Sequence, residues 1–171
     1  IEYSLVQTYN QYTGLPIYVI LASALVSKVF DNKFFLAESQ EAMLAYQAQD
    51  KKIPYRTISA FAGADLIGIR YIQLLPYALP YENAENAFRV IGGSFVTTED
   101  GTGIVHTAPT FGADDARVAK EATPEVPPML VLDEQGNAVP LVTLQGKFRA
   151  DLAEIGGKYV KNEYYADGQA P

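Results

Sequence analysis

The spacing of apolar and polar residues changes along the chain, and each change predicts an element. Apolar or aromatic residues recur among polar ones at Tyr3, Leu5 and Tyr9, as in a half-buried strand. The turn-forming sequence Tyr-Thr-Gly-Leu-Pro at 12–16 then leads into the apolar run Ile-Tyr-Val-Ile-Leu at 17–21. These two segments are predicted to form a β-hairpin.

Two helices are predicted after the hairpin. Ser23 is a candidate N-cap for the first, because its hydroxyl can accept a hydrogen bond from a free backbone N–H of the first turn. Residues 37–48, AESQEAMLAYQA, consist largely of helix formers and predict the second helix. The buried positions expected in it are Met43, Leu44 and Tyr46.

The middle of the chain has strand-forming composition. Residues 55–75 are rich in β-branched and aromatic side chains and are broken by glycine, which predicts two or three short strands. The two prolines and the asparagine of 75–84 predict a loop. Strands are predicted at 88–91 and 95–98, and a hairpin turn at 99–103 is predicted to lead into a further strand at 104–108.

A helix is predicted from about Gly112 to about Ala122, with aspartates at its positively polarised N-terminus. Residues 129–132 and 139–142 predict another hairpin around the turn 133–137. Short strands with turns between them and few helices indicate a mainly β fold with peripheral helices, closed or nearly closed into a β-barrel. A doubly wound sheet fits less well, because strands and helices do not alternate regularly.

Composition narrows the function. The 171 residues, 49% of them hydrophobic, are enough for one core, so a single domain over 1–171 is expected. The chain has no Cys, which excludes disulfides, thiolate zinc sites and a cysteine nucleophile. The net charge of −7 argues against strong nucleic-acid binding by the chain alone. The apolar run 17–26 is too short for a membrane span, and the chain starts without Met or a leader, so a soluble piece of a longer protein is expected.

One segment concentrates residues with chemical potential. DGTGIVHTAPTFGADD, residues 100–115, places the only histidine, His106, and two aspartates on either side of a loop containing Pro and Gly. Considered alone, His106 fits a histidine of the core or its rim, and the aspartates fit helix caps. The glycines lack the Lys of a P-loop and the dinucleotide spacing, a single His argues against zinc, and no nucleophile elbow is present.

The same segment resembles a signature of the editing domain inserted in isoleucyl-tRNA synthetases, Gly-Thr-Gly-x-Val-His-x-Ala-Pro-x-x-Gly-x-Asp-Asp. Residues 63–77, GADLIGIRYIQLLPY, are similar to a second stretch of that family, Gly-x-x-Leu-x-Gly-x-x-Tyr-x-x-Leu. Leucyl and valyl editing domains typically have Met or Lys at the position of His106. The resemblance therefore favours the isoleucyl family and implies the barrel of Val/Ile/Leu-tRNA synthetase editing domains.

The resemblance implies roles for individual residues. Asp115 corresponds to the aspartate that holds the α-ammonium group of the substrate, and His106 to the histidine that lines the pocket and helps to refuse isoleucine. The other substrate-binding positions implied are Gly101, Thr102, Gly103, Thr107, Ala108 and Asp114. For Gly101 and Gly103, the implied role is a backbone turn that lets the terminal adenosine approach closely.

The implied activity is hydrolysis of the ester in Val-tRNA(Ile) by a positioned water, with no metal and no cofactor in this domain. ATP and Mg belong to the parent enzyme, whose remaining domains and acylated tRNA(Ile) 3′ end are the expected partners, in the cytoplasm. The sequence does not identify a general base. The terminal hydroxyls of the tRNA are candidates for assisting the attack of the water. A threonine-rich segment that forms the other side of the family's pocket is not reproduced by Thr8 or Thr13.

Two other functions stay open at this stage. The chain could be the editing domain of a valyl- or leucyl-tRNA synthetase, or an acidic barrel that binds partners without catalysis. Residues 146–171 either pack on the barrel or form a return linker to the parent enzyme.

Overall fold

The computed structural model describes residues 1–165 and divides the chain into two compact units. The first unit contains Ile1–Ile67 and Gly92–His106, and the second contains Gly68–Ile91 and, of the described residues, 107–165. The prediction of a single editing domain over 1–171 stays a prediction. The last part of the 146–171 segment, residues 166–171, lies outside the described residues.

The first unit is built on a four-stranded sheet. Its strands are β1 (Glu2–Tyr9), β2 (Pro16–Ala22), β3 (Phe34–Leu36) and β4 (Ile53–Ala62), and their order in the sheet is β2-β1-β4-β3. β1 pairs antiparallel with β2 and with β4, whereas β3 pairs parallel with β4. The predicted hairpin is confirmed, with Tyr3 opposite Ala22 and Tyr9 opposite Pro16.

One face of the β1–β2 hairpin carries the core of this unit. Val6 and Leu21 are buried there against Phe30, which follows the short helix α1 (Val26–Val29). The ring of Phe30 stacks on Tyr55 with centroids 4.6 Å apart and meets Phe34 edge-on. Burial of these large side chains is the main stabilising contribution to the unit.

The second unit contains α3 (Ala113–Glu121) and a hairpin of β5 (Leu130–Leu132) and β6 (Ala138–Pro140). The helix buries Val118 and Ala119, and its C-terminal end is followed by a return of the chain in which Val126 N–H donates to Ala119 O. The helix predicted near 112–122 and the hairpin predicted at 129–142 are both confirmed. Single 3₁₀ turns complete the described chain at Ser23–Leu25, Gly63–Leu66, Ala84–Asn86, Ala153–Ile155 and Asn162–Tyr164.

The fold class predicted from the sequence is confirmed in its coarse form, a mainly β chain with few helices. Residues 1–165 contain six strands and three α-helices, with α2 at Gln40–Leu44. In this part of the chain the hydrogen-bonded strands form one sheet of four and one of two. The predicted closed barrel stays a prediction.

Two helix predictions need correction. Ser23 does not cap a helix: its hydroxyl lies 2.8 Å from that of Ser4, and Ala22 holds the cap position. The helix predicted over 37–48 is only α2, because Ser39 caps it at Ala42 N–H and its hydrogen bonding ends at Ala45. Met43 is fully buried as predicted, but Leu44 is 70% exposed, so its predicted burial is wrong.

The strand predictions for 55–108 are largely wrong. Residues 55–75 contribute one long strand, β4, which ends where the 3₁₀ turn at Gly63 begins. No strand forms at 88–91, 95–98 or 104–108. Phe88 has a φ of +53°, which interrupts extended backbone, and only an isolated bridge joins Arg89 to Arg70. β-propensity alone therefore overestimated the pairing in this region.

Candidate functional site

Asp115 lies in the first turn of α3 and is connected to the loop before it. Its Oδ2 accepts a hydrogen bond from the backbone N–H of Ala108 at 3.1 Å. Within residues 1–165 its Oδ1 has no hydrogen-bond partner, and the side chain belongs to no ion pair. The hydrogen bond to Ala108 holds the carboxylate, and the residue as a whole is only half-buried.

The loop from Thr107 to Gly112 is shaped around that carboxylate. The N–H groups of Phe111 and Gly112 donate to Ala108 O at 3.1 and 3.3 Å, closing a tight turn. A β-carbon at Gly112 would lie 2.7 Å from the Asp115 Oδ2, so glycine leaves the space that the carboxylate occupies. The Thr110 hydroxyl accepts the N–H of Met129 at 2.8 Å, which attaches the loop to the start of the β5 region.

Asp114, although adjacent to Asp115, has different surroundings. Its side chain is 89% exposed and pairs with Arg117 at 3.2 Å. Asp114 is the main reason that the pKa of Arg117 is raised. The charge of Asp114 thus has a partner within the helix, whereas that of Asp115 has none among the described residues.

The glycine turn of the motif belongs to the first unit. Gly101 and Gly103 have φ values of +69° and +72°, so both adopt the left-handed conformation that glycine tolerates. A β-carbon at Gly103 would lie 2.6 Å from the Cβ of Ala22, whereas at Gly101 nothing lies within 4 Å. The predicted turn is confirmed, and the close approach seen at Gly103 is to Ala22 at the end of β2.

Three further contacts hold this turn. Ala22 N–H donates to Thr102 O at 2.8 Å, and the Tyr3 hydroxyl donates to Gly103 O at 2.6 Å. Lys28 Nζ contacts the Asp100 carboxylate at 3.0 Å, and this bond lowers the pKa of Asp100. The sequence identifies Tyr3 only as an apolar strand residue, because its bond to Gly103 joins positions far apart along the chain.

His106 follows the turn in a segment without regular structure and is exposed. Its predicted position on an alternating strand is therefore wrong. His106 ends the first unit, while Thr107, Ala108, Asp114 and Asp115 belong to the second. The structure brings Gly101, Thr102 and Gly103 together in one unit, and Ala108 and Asp115 in the other.

The first unit also contains an apolar cleft of about 270 Å³. The residues that line it include Ile17, Val19, Phe30, Phe34 and Thr102. Among residues 1–165, no group of three or more His, Asp or Glu side chains is arranged to hold a metal ion. None of the helices in the described part of the chain has the length and apolar character needed to cross a membrane.

Comparison with known proteins identifies the chain. It is 49% identical, over 98% of its length, to an isoleucine–tRNA ligase of Cytophaga hutchinsonii. Over 97% of its length it is 45% identical to an isoleucine–tRNA ligase of Porphyromonas gingivalis. The chain belongs to the isoleucine–tRNA ligase family. No protein-family model matches it.

The chain corresponds to only 14–15% of the length of these isoleucine–tRNA ligases. The matched region includes nearly all of the sequence and therefore both motif segments, 63–77 and 100–115. A more distant isoleucine–tRNA ligase, from Picrophilus torridus, is 44% identical over 63% of the chain. The isoleucyl family predicted from the two motifs is thereby confirmed.

Proposed function

We propose that the chain is the editing module of an isoleucine–tRNA ligase and hydrolyses the ester of Val-tRNA(Ile). The observation that carries the proposal is Asp115, a half-buried carboxylate held by Ala108 N–H, with Oδ1 unpaired within the described residues. Such a group suits the α-ammonium of an aminoacyl ester, since a charge-assisted hydrogen bond fixes the ester and requires an amino acid to be attached.

In the proposed reaction a water oxygen attacks the ester carbonyl carbon, and the bond between that carbon and the ribose oxygen breaks. The ribose oxygen takes a proton, and the products are valine and tRNA(Ile). Asp115 binds and orients the substrate amine, and His106 limits the size of the side chain admitted. The resemblance implies substrate-binding roles for Thr107, Ala108 and Asp114 and, separately, for the turn 101–103. No general base is assigned to the protein, and no metal or cofactor takes part.

An editing site separate from the synthetic site is needed because valine is smaller than isoleucine. One methylene in an apolar pocket changes binding by about 1–3 kcal/mol, too little to exclude valine from a site built for isoleucine. That figure comes from the established case of this synthetase itself, and it explains why hydrolysis at a separate site is needed. We propose that the module has the editing-type β-barrel fold of the family and acts in the cytoplasm. Its partners are the acylated tRNA end and the other synthetase domains.

The net charge of −7 is consistent with tRNA binding mainly by other domains of the synthetase. Phosphate neutralisation by Lys and Arg supplies most sequence-independent affinity for nucleic acid. This chain has 13 basic residues against 20 acidic ones. Other domains would therefore carry the tRNA, and this module would contact the acylated terminus. Addition of salt should weaken tRNA binding by the whole synthetase more than it weakens binding of a valyl-adenosine analogue by this chain.

The decisive experiment measures deacylation of Val-tRNA(Ile) by an isoleucine–tRNA ligase that carries this segment. With Asp115→Ala we expect normal aminoacylation, accumulation of Val-tRNA(Ile), and deacylation slower by roughly 10- to 150-fold, the value of a hydrogen bond to a charged group. Glu121→Ala removes another acidic residue of α3 and should deacylate normally. Equal deacylation by the Asp115 variant and the unchanged enzyme would remove the proposal.

Binding without catalysis is the competing function. A titration of the chain with a non-hydrolysable valyl-adenosine analogue separates the two. Saturable changes in the resonances of His106 support the editing site, because that residue is expected to line it. A chain that leaves them unchanged at millimolar analogue would instead fit a binding module.

A further inference from the structure

Tyr3 connects the two motif segments inside the first unit. Tyr3 is buried, with only 8% of its surface exposed, and its hydroxyl donates to the Gly103 carbonyl at 2.6 Å. One edge of the same ring faces Gly63, where an added β-carbon would lie 2.7 Å from Tyr3 Cε2. Gly63 opens the 63–77 segment and Gly103 belongs to the 100–115 segment, so a single ring contacts both.

The surroundings require a tyrosine in particular. The Gly103 carbonyl would lose a buried hydrogen bond without the hydroxyl, and an unmade bond of this kind is costly. The flat ring fits between the two glycines. An added β-carbon would lie 3.6 Å from Tyr3 Cε1 at Gly103 and 2.7 Å from Tyr3 Cε2 at Gly63. The β1 backbone supports this position, because Tyr3 pairs with Ala22 on one side and Phe61 on the other.

The turn that Tyr3 holds leads directly to His106. Between Gly103 and His106 the chain has no regular structure, so the position of the histidine depends on how the turn is fixed. Two hydrogen bonds attach the turn to the sheet, that of Tyr3 to Gly103 O and that of Ala22 N–H to Thr102 O. Loss of the first leaves the turn held by the Ala22 bond and by the exposed contact of Lys28 with Asp100.

We propose that Tyr3 is a positioning residue that fixes the 101–103 turn and, through it, His106. The role of His106 in discriminating valine from isoleucine rests on the proposed function, whereas the attachment of the turn does not. Tyr3→Phe removes the hydroxyl and keeps the ring. Tyr9→Phe is a matched control, because Tyr9 lies on the same strand and its hydroxyl donates to the Met43 carbonyl at 2.8 Å, away from the turn.

The first measurement is amide hydrogen exchange in the 171-residue chain. The Ala22 amide reports on the turn, because Ala22 is fully buried and its N–H donates to Thr102 O. In Tyr3→Phe its exchange should accelerate by roughly two- to tenfold more than that of the Val6 amide, the effect of one hydrogen bond. In Tyr9→Phe the two amides should change equally. If the exchange rates of the Ala22 and Val6 amides rise equally in Tyr3→Phe, the substitution causes a general loss of stability, and the proposal is overturned.

The second measurement is the ratio of deacylation rates for Val-tRNA(Ile) and Ile-tRNA(Ile) in an isoleucine–tRNA ligase that carries the segment. Tyr3→Phe should lower this ratio by roughly two- to tenfold, and Tyr9→Phe should leave it unchanged. An unchanged ratio with selective exchange at Ala22 would mean that Tyr3 holds the turn without positioning His106, which overturns the proposal. If the unsubstituted enzyme deacylates neither tRNA, the proposed function fails, and exchange at Ala22 still decides whether Tyr3 anchors the turn.

Discussion

Asp115 Oδ2 and the backbone N–H of Ala108 are 3.1 Å apart, joined across the loop that precedes α3. The bond gives Asp115 two roles that can be separated. One oxygen organises the loop, and the negative charge is left for a substrate. A substitution that removes only the charge therefore differs in effect from one that removes the acceptor as well.

Asp115→Asn keeps an oxygen that can accept from Ala108 N–H and loses the charge. We expect its free energy of unfolding to stay within about 0.5 kcal/mol of the unsubstituted chain. Asp115→Ala should lose about 1 kcal/mol, the typical value of a side-chain bond to a backbone N–H near a helix start. Both variants should lose deacylation. Urea unfolding and a Val-tRNA(Ile) assay test this, and an Asn variant with full activity would show that the charge is not used.

Gly103→Ala should be more destabilising than Gly101→Ala. Both substitutions place a β-carbon on a residue with positive φ, at a cost of about 1–3 kcal/mol. Only at Gly103 does the new carbon also collide with Ala22, at 2.6 Å. Gly101→Ala is thus a control for the backbone conformation alone. Equal free energies of unfolding for the two variants would contradict the packing of Gly103 on Ala22.

The pKa of Asp100 should respond to Lys28. The ammonium of Lys28 donates to this carboxylate and lowers its pKa below the ordinary value of 3.8. Since the folded pKa is the lower one, the pair stabilises the folded chain above pH 3.8 and the contribution is lost as the pH falls through the folded pKa. Lys28→Gln should raise the pKa of Asp100 toward 3.8, measurable by carboxyl carbon NMR. Both side chains are well exposed, so the effect on stability should be small.

His106→Ala should enlarge the range of esters accepted. The residue is exposed, so the free energy of unfolding should change by less than about 0.5 kcal/mol. If its ring limits the proposed pocket, the variant should hydrolyse Ile-tRNA(Ile) faster while still hydrolysing Val-tRNA(Ile). The comparison of the two rates tests this, and continued rejection of Ile-tRNA(Ile) would assign the size limit to other residues.

Met43→Ala and Leu44→Ala form a matched pair on α2. Met43 is completely buried, so truncation should cost about 2–5 kcal/mol. Leu44 is 70% exposed, so its truncation should cost less than about 0.5 kcal/mol. Urea unfolding followed by circular dichroism would measure both. A large decrease in the free energy of unfolding from Leu44→Ala would indicate that Leu44 is buried, as the sequence predicts.

Elements whose pattern and end signals are local were predictable. The β1–β2 hairpin follows from alternation around the turn at 12–16, and α3 follows from Gly112 and the aspartates of its first turn. Elements that depend on distant partners were not. The parallel pairing of Phe34 with Ile53 leaves no mark in either segment, and strand-forming residues at 88–108 found no continuous partner.

The sequence by itself determined the family, the β1–β2 and β5–β6 hairpins, α3 and the identity of the candidate residues, because motifs and periodicity are properties of neighbouring positions. Only the tertiary structure decided which of those residues are held and by what. Gly103 has no room for a side chain because Ala22 lies against it, Asp115 is held by Ala108, and Tyr3 contacts Gly103 although 100 positions separate them in the sequence. Contacts of this kind join backbone atoms to distant side chains, and a linear pattern does not encode their distances.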